Sequence, residues 1–217
     1  MNAQPTCAES WESRIGVPES FTGQDRDPKE LPGGTGWGPL MKAMRSMLDA
    51  VAAARPDQST LEEMTRDVAA MGERFERHRV EERNQAFGHR VDLPGRGQVM
   101  APCFVAGAAS AGVVEGTVTF GHYFLGGNGA VHGGAVALLF DEVLGRLSDT
   151  SGRPPARTAS LKVDFRHRTP TGVALNVRAW FDREEGRKRY VRGVIRDGDV
   201  ICAEAEGLFI ALLDGQH

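Results

Sequence analysis

The pattern of hydrophobic and polar positions changes character near Gly95. Before it, apolar residues recur at the spacing of one helix face in two segments. The first covers residues 37–54, and the second runs from a cap at Ser59 or Thr60 to about Val80. After Gly95, short alternating or β-branched runs predict strands instead. The chain therefore combines a helical N-terminal part with a strand-rich C-terminal part.

Six strands are predicted in the C-terminal part, over residues 104–109, 113–120, 158–166, 173–182, 189–196 and 200–212. The last four are joined by short connections, which favour antiparallel neighbours. Before them, residues 135–140 are apolar at every position and predict a buried helix. One buried helix against an antiparallel sheet is an α+β architecture. Since it leaves a sheet edge and part of the helix uncovered, a homodimer is expected.

The same pattern divides the chain into three regions. They are an extended or disordered arm over residues 1–36, a helical extension over 37–95 and a sheet domain over 96–217. The arm is rich in Pro, Gly, Asp and Glu, a composition that does not support a packed core. No pattern in the helical extension indicates chemistry, so the candidate functional residues lie in the third region.

The start of the buried helix is the first candidate site. A glycine-rich loop leads into it, and Gly133 and Gly134 fall in its first turn, where backbone N–H groups lack intrahelical partners. A ligand oxygen can approach bare N–H groups closely, as in an oxyanion hole. Asp141 follows Gly133 by eight positions, about 12 Å along the helix and roughly on the same side. An elongated group, or a group from a second subunit, fits between an amide and a carboxylate so placed.

A purely structural interpretation stays open at this point. The glycine-rich loop can be a tight entry to a core helix, with Asp141 as the first polar residue where that helix reaches solvent. Glu142 and Arg146 are spaced i,i+4, as a solvent-exposed ion pair would be. Asp141 lies about 100° round the helix from Glu142, so it need not share that face.

Composition excludes several classes of protein. The 217 residues, 41% hydrophobic and 25% charged, suffice for one domain with an extension. The formal net charge of −3 argues against a general nucleic-acid binder, and no apolar run is long enough to span a bilayer. The three cysteines are widely spaced and indicate neither a zinc site nor a disulfide framework. No secretory signal is visible, so a cytoplasmic protein is expected.

One stretch departs from this charge balance. Between Arg153 and Arg196 there are twelve Lys and Arg residues against four acids. Such an excess suits a phosphate-bearing small ligand, but it also suits a solvated face of the sheet.

Several motifs of the strand-rich part form an ensemble. They are Val131-His132-Gly133-Gly134, Asp141 nine positions after the histidine, Thr158 in the following strand, and the segments 164–170 (DFRHRTP), 185–188 (EGRK) and 203–210 (AEAEGLFI). In their order and spacing, residues from about 100 to 213 resemble the hotdog-fold acyl-CoA thioesterases of the phenylacetate-pathway and Them (thioesterase superfamily member) type. The resemblance implies the hotdog fold, an antiparallel sheet wrapped round one long central helix, here with a helical N-terminal extension.

The resemblance also implies a role for each matching residue. The Gly133 amide would hold the thioester carbonyl oxygen, with Gly134 beside it in the substrate site. Asp141, reaching the site from the partner subunit, would activate water or attack the carbonyl itself. Thr158 would orient the water or the carboxylate. His132 would orient the loop and helix start rather than transfer protons, and a purely structural role for it remains open.

The chain departs from the family at one loop position. The phenylacetate-pathway type often carries Asn six positions before the histidine, where this chain has Gly126. Either Asn128 takes that role through a different loop path, or a backbone N–H or a water does.

Coenzyme A carries phosphates, and charge-assisted hydrogen bonds from Arg and Lys suit them. Under the resemblance, the candidates are Arg166 and Arg168 at a strand end, with Arg187 and Lys188 at the hairpin expected to lie beside them.

The function implied by the resemblance is hydrolysis of a fatty or aromatic acyl-CoA to a free acid and coenzyme A. The enzyme would be a homodimer or a dimer of dimers, with coenzyme A as part of the substrate and no separate cofactor or metal. The alternatives are a non-catalytic acyl-CoA-binding regulatory protein, a hotdog hydratase and a structural scaffold with a helical arm. Asp141 and Thr158 count against the first, and the glycines after His132 count against the second. The third leaves the spacing from His132 to Asp141 unexplained.

Overall fold

A computed structural model describes residues 27–110, 112–213 and 215–216. The helices are α1 (Trp37–Ala53), α2 (Gln58–Glu76) and α3 (Gly133–Ser148). The strands are β1 (Cys103–Ser110), β2 (Val113–Thr119), β3 (Leu125–Gly127), β4 (Ala130–Val131), β5 (Ala156–Phe165), β6 (Ala174–Glu185), β7 (Lys188–Asp197) and β8 (Val200–Ala211). The predicted helices and the six predicted strands are confirmed to within a few residues, whereas the hairpin β3–β4 was not predicted. The predicted arm falls mostly on residues 1–26, which lie outside the described residues.

The boundaries of α2 differ from those predicted. Its cap is Asp57, whose carboxylate accepts hydrogen bonds from the Thr60 amide at 2.8 Å and from the Ser59 hydroxyl at 2.9 Å. The bond from the Thr60 amide, above all, holds the pKa of Asp57 below its ordinary value. Asp, Ser and Thr are all good caps, so the sequence alone did not separate Asp57 from its neighbours. The helix ends at Glu76 rather than near Val80.

Helix α1 docks on the strand-rich part through polar contacts. The Trp37 indole N–H donates to the Gly97 carbonyl at 2.9 Å, and the Tyr123 amide donates to the Asp49 carboxylate at 3.1 Å. The Tyr123 hydroxyl donates to the Val99 carbonyl at 3.0 Å, and burial raises the pKa of this phenol to about 12. The helical extension is thus tied to the sheet domain, while the predicted boundary between them stays a prediction.

A buried arginine fastens the segment before β1. Arg90 is 1% exposed and donates two hydrogen bonds to the Asp92 carboxylate, at 2.8 and 2.7 Å. It also donates to the carbonyls of Pro32 and Gly34, at 3.0 and 2.7 Å. A guanidinium can be buried at acceptable cost when a countercharge and carbonyl acceptors surround it in this way.

The six-stranded antiparallel sheet has the order β1-β2-β6-β7-β8-β5. The expectation that β5 and β6 are neighbours is wrong, because β7 and β8 lie between them and β5 pairs with β8. Three strand spacings are about 14 Å, which the eight residues 166–173 can span without forcing a hairpin. This connection turns at the end of β5, where the amides of Arg166 and His167 donate to the Cys202 carbonyl at 2.9 and 3.0 Å.

Helix α3 packs across strands β5 to β8 and contributes Phe140 and Leu144 to the core, both fully buried. Gly193 of β7 lets the helix approach closely, since a Cβ there would lie 3.1 Å from both side chains. The expectation that residues 135–140 are buried throughout is wrong at Leu138, which is 36% exposed. One face of α3 is therefore not covered by any of the described residues, because the sheet covers the helix from one side.

Glu142 and Arg146 correct the expectation of a solvent-exposed pair. Their side chains are only 6% and 9% exposed and lie 3.3 Å apart. Arg96 adds a second ion pair to Glu142 at 2.8 Å, and Arg146 donates to the Val91 carbonyl at 3.0 Å. The segment before β1 thus covers this side of α3. Asp141 lies on a less covered side and is half-buried.

Candidate active site

The loop entering α3 presents a backbone amide at the helix start. His132 is the N-cap: its Nδ1 accepts from the Gly134 amide at 3.0 Å, and its carbonyl accepts from the Ala135 amide at 2.9 Å. With Nδ1 as acceptor, a neutral ring carries its proton on Nε2. Gly133 is the first helical residue, where an amide has no intrahelical acceptor. Of the two glycines predicted to face a ligand, Gly133 offers its amide, whereas the Gly134 amide is engaged by His132.

The glycine-rich loop is folded into the short hairpin β3–β4. Asn128 lies at its tip with φ +49°, between two glycines that also have positive φ. The Val131 amide donates to the Thr169 carbonyl at 2.8 Å, and the Arg168 guanidinium donates to the Asn128 carbonyl at 3.4 Å. The segment after β5 therefore holds the loop before α3. In this conformation Asn128 forms the turn, and a role in substrate binding remains a prediction.

Phe165 is a residue of the site that sequence reasoning missed. Its ring lies against Gly133, where an added Cβ would be 3.1 Å from the ring. The Phe165 side chain is 57% exposed at the end of β5. Exposed apolar surface beside an amide suits an acyl group next to its carbonyl. The sequence provided little indication of this role, because an aromatic residue at the end of a strand is just as often part of the core.

Asp141 is hydrogen-bonded to Thr158 across the packing of α3 on β5. The threonine hydroxyl donates to Oδ1 of the carboxylate at 2.8 Å, although the residues are 17 positions apart. A hydroxyl on one carboxylate oxygen fixes the orientation of the group and leaves the other oxygen available to a water or a substrate. The structure thus brings together the two side chains that the resemblance assigns to the attack on the thioester.

Within one chain, the Gly133 amide and the Asp141 carboxylate do not meet. Eight residues of helix separate them by about 12 Å. An oxyanion donor and an attacking group must both lie about 3 Å from the atoms of one carbonyl. The two groups can therefore belong to the same site only if a second chain supplies one of them.

Arg166 and Arg168 follow the end of β5 but differ in their surroundings. Arg166 is engaged by acids of its own chain, with Glu204 at 2.8 Å and Asp164 at 3.6 Å. Arg168 lies beside the glycine-rich loop and reaches the Asn128 carbonyl. Arg168 is therefore the better placed of the two to meet a ligand at the helix start.

The other two basic candidates are not brought near them. Arg187 and Lys188 lie at the hairpin between β6 and β7, at the end of the sheet where β5 begins. The expectation that this hairpin neighbours Arg166 and Arg168 is wrong within one chain. Because β5 has 10 residues, about 30 Å separates its two ends. Whether any of the four binds coenzyme A remains a prediction.

Much of the basic excess between residues 153 and 196 is matched by nearby acids. Seven of the twelve residues form ion pairs: Arg153, Lys162, Arg166, Arg178, Arg183, Arg189 and Arg192. Arg189 is 1% exposed and donates to the Ser148 carbonyl at the end of α3, at 3.0 Å. Most of the basic excess therefore lies on a sheet surface where the charges are paired.

The described part of the chain contains neither a cluster of metal-binding side chains nor a membrane-spanning helix. Within residues 27–110, 112–213 and 215–216, no group of three or more His, Cys, Asp and Glu side chains is placed to hold a metal ion. No helix in the same residues is long and apolar enough to cross a membrane.

A solved structure shares this architecture over most of the chain. It is the crystal structure of a thioesterase superfamily protein, 30% identical, and the alignment covers 83% of this chain and 97% of that one with a TM-score of 0.70. This chain belongs to the thioesterase superfamily. The family profile described as Thioesterase superfamily matches residues 128–205, a segment that includes the helix start, Asp141 and Thr158. The resemblance to hotdog-fold thioesterases is confirmed by these similarities.

A curated relative is similar over a shorter stretch. Acyl-coenzyme A thioesterase THEM4 of Bos taurus is 36% identical over 94 residues, which are 42% of this chain and 38% of the relative. The matched part thus spans about two fifths of the length of that relative.

Proposed function

We propose that this protein is a cytoplasmic acyl-CoA thioesterase that hydrolyses a fatty or aromatic acyl-CoA to a free acid and coenzyme A. The observation that carries the proposal is the contact of the Thr158 hydroxyl with the Asp141 carboxylate at 2.8 Å, on the helix that begins at Gly133. Membership of the thioesterase superfamily and the name of the bovine relative support the same chemistry.

Each group has a part in the reaction. The Gly133 N–H donates to the thioester carbonyl oxygen as negative charge develops there. Asp141 removes a proton from the attacking water, or attacks the carbonyl carbon itself and forms an anhydride that water then cleaves. The carbon–sulfur bond breaks, and the sulfur leaves as the thiolate of coenzyme A. Thr158 holds the carboxylate in line, and His132 fixes the helix start through the Gly134 amide.

The site would be completed by a second subunit. A homodimer, or a dimer of dimers, that joins two copies through the uncovered face of α3 would bring the Asp141 of one copy to the Gly133 of the other. In this arrangement each sheet wraps round its central helix, as in a hotdog fold, and the two helices lie side by side. The separation of about 12 Å within one chain supports this assembly.

The substrate would lie between an apolar wall and basic side chains. Phe165, exposed beside Gly133, would contact the acyl group. Arg168 would meet a phosphate of coenzyme A, with Arg166 next to it. Arg187 and Lys188 lie at the other end of the sheet, so they would contact the same coenzyme A only from another subunit.

A panel of acyl-CoAs tests the proposal. The purified protein is incubated with acetyl- to palmitoyl-CoA and with phenylacetyl- and benzoyl-CoA, and released thiol is measured with a chromogenic reagent. Asp141→Asn should lower turnover by at least about 100-fold, because general-base catalysis contributes that much or more.

The matched control is Asp182→Asn, which changes a carboxylate paired with Arg183 and Arg192 on the sheet. It should hydrolyse acyl-CoA as the wild type does. Thiol release by Asp141→Asn at the wild-type rate would contradict the proposal. Binding of acyl-CoA without release by the wild type would instead indicate a regulatory binding protein.

A further inference from the structure

Helix α2 carries an exposed apolar stripe. None of its 19 residues is buried against the described part of the chain. Five hydrophobic side chains on one face are between 40% and 54% exposed: Leu61, Met64, Val68, Met71 and Phe75. The sequence predicts this face from its periodicity, yet the described residues provide no core for it. A contiguous exposed apolar surface of this kind marks an interaction site.

The spacing of the stripe indicates that its partner is another helix. The five residues follow each other at intervals of three, four, three and four positions. A helix that packs on a globular core shows a broader apolar face with a period near 3.6 residues. A strict alternation of three and four is instead the a and d pattern of a coiled-coil seam. The seam of α2 is thus built to receive the seam of a second helix.

The residues beside the apolar stripe determine the relative orientation of the two helices and the identity of the partner helix. Asp67 and Arg74 occupy successive g positions, seven residues apart. If two copies of α2 pair antiparallel, the Asp67 of each copy faces the Arg74 of the other, so both edges carry opposite charges. At the e positions, Thr65 of one copy lies opposite Gly72 of the other, and these small residues allow the two helices to approach closely. In a parallel pair Asp67 would face Gly72 and gain no countercharge.

We infer that α2 of one copy of this protein pairs antiparallel with α2 of a second copy. The layers of the seam are then Val68 against Met71 and Met64 against Phe75, each formed twice about a two-fold axis. Two Asp67–Arg74 ion pairs flank these layers. The apolar stripe and the charges beside it are therefore self-complementary. The pairing uses no residue of the candidate active site and does not depend on the proposed reaction.

Disulfide mapping on the 217-residue chain tests this pairing. Met64→Cys and Phe75→Cys are made in separate chains, and the two variants are then mixed and oxidised. In the antiparallel pair a thiol at position 64 faces a thiol at position 75. Two thiols at position 64 are about 16 Å apart along the helix, beyond the roughly 7 Å limit between Cα atoms for a disulfide.

Peptide mass spectrometry should find an interchain disulfide between positions 64 and 75 in the mixture. Neither variant alone should form a disulfide between two copies of its introduced thiol. Asp67→Arg in both chains should lower the yield several-fold, because four arginines then flank the seam. Adding Arg74→Asp should restore the yield, because the ion pairs re-form with their signs exchanged.

A disulfide between two chains of Met64→Cys alone would overturn the antiparallel pairing. Absence of the 64–75 disulfide from a mixture whose circular dichroism is that of the wild type would overturn the pairing altogether. The stripe would then belong to residues 1–26 or to a different protein. Failure of Arg74→Asp to restore the yield would overturn the ion pairs that define the register. None of these readouts requires thioesterase activity, so a failed hydrolysis assay and a failed pairing are distinguishable.

Discussion

At the residue scale, the candidate site depends on two short polar contacts made by α3. At its start, the His132 ring caps the helix and leaves the Gly133 amide for a ligand. Two turns later, Thr158 holds one oxygen of the Asp141 carboxylate. In both contacts, the side chain of His132 or Thr158 orients a neighbouring group and does not itself react with the substrate. Their removal should therefore have different consequences for catalysis and for stability.

Thr158→Val keeps the shape of the side chain and removes the hydrogen-bond donor to Asp141. A hydrogen bond to a charged group contributes roughly 1.5–3 kcal/mol, so we expect kcat to fall about 10- to 100-fold. Thr158→Ser keeps the hydroxyl and should stay near the wild-type rate. The comparison is made by steady-state kinetics on the best acyl-CoA of the panel. Equal rates for the two variants would show that the hydroxyl has no orienting role.

His132→Ala removes the helix cap. We expect the free energy of unfolding to fall by about 1 kcal/mol, as for other N-cap replacements. His132→Asn keeps an acceptor at the cap and should lose only a few tenths of a kcal/mol. Urea unfolding followed by circular dichroism gives both values. An alanine variant as stable as the wild type would mean that the cap contact does not support the helix.

At the element scale, α3 and the segment before β1 meet at a charged cluster around the buried Glu142. Glu142 is held between Arg96, at 2.8 Å, and Arg146, at 3.3 Å, and Arg146 also reaches the Val91 carbonyl. The segment before β1 thereby covers the side of α3 that carries Glu142, about 100° round the helix from Asp141. This contact fixes which face of the helix remains uncovered.

Glu142→Gln keeps the side-chain shape and removes the negative charge. We expect the free energy of unfolding to fall by about 3 kcal/mol, because the buried Arg146 then lacks this countercharge. The control is Glu204→Gln, which affects an ion pair with the half-exposed Arg166 and should change stability by less than about 1 kcal/mol. Chemical denaturation of both variants measures the difference. Equal losses would contradict the structural role of the cluster.

Periodicity and turn residues predicted where the helices and strands lie. They did not predict which elements touch. The connection between β5 and β6 is short in residues but crosses the end of the sheet, so a length argument gave the wrong neighbour. The i,i+4 spacing of Glu142 and Arg146 predicted a solvent-exposed ion pair. The same spacing is equally compatible with a pair that a distant segment of the chain covers, as residues 91–96 do here. Both errors concern long-range packing, which local patterns do not encode.

For the candidate site, the sequence predicted some of the residues but not all of their contacts. Gly133 and Asp141 followed from the helix pattern, since one helix contains both. The pairing of Thr158 with Asp141 came from the family resemblance, because nothing local relates two residues 17 positions apart. Phe165 was missed, since its contact with Gly133 depends on the path of the chain after β5.

At the scale of the whole molecule, the described residues leave two apolar surfaces uncovered, one on α3 and one on α2. Under the proposed function, the face of α3 that carries Asp141 meets a second copy, so that the carboxylate reaches a Gly133 amide. The stripe of α2 requires another helix, and its charges match a second copy of itself. These surfaces lie on different elements, so the molecule has the means to form two distinct contacts between copies. Only the first is required by the proposed reaction.

The central claim is that Asp141 and Gly133 act on one thioester from different subunits. Thiol release by co-expressed chains tests it, with Asp141→Asn in one chain and Gly133→Val in the other. Each variant alone should be inactive, the first without its carboxylate and the second with its amide blocked. Random pairing makes half of the dimers mixed, and each mixed dimer has one intact site of two, so the mixture should recover about one quarter of the wild-type activity. A mixture as inactive as its parents, or a parent as active as the wild type, would contradict the account.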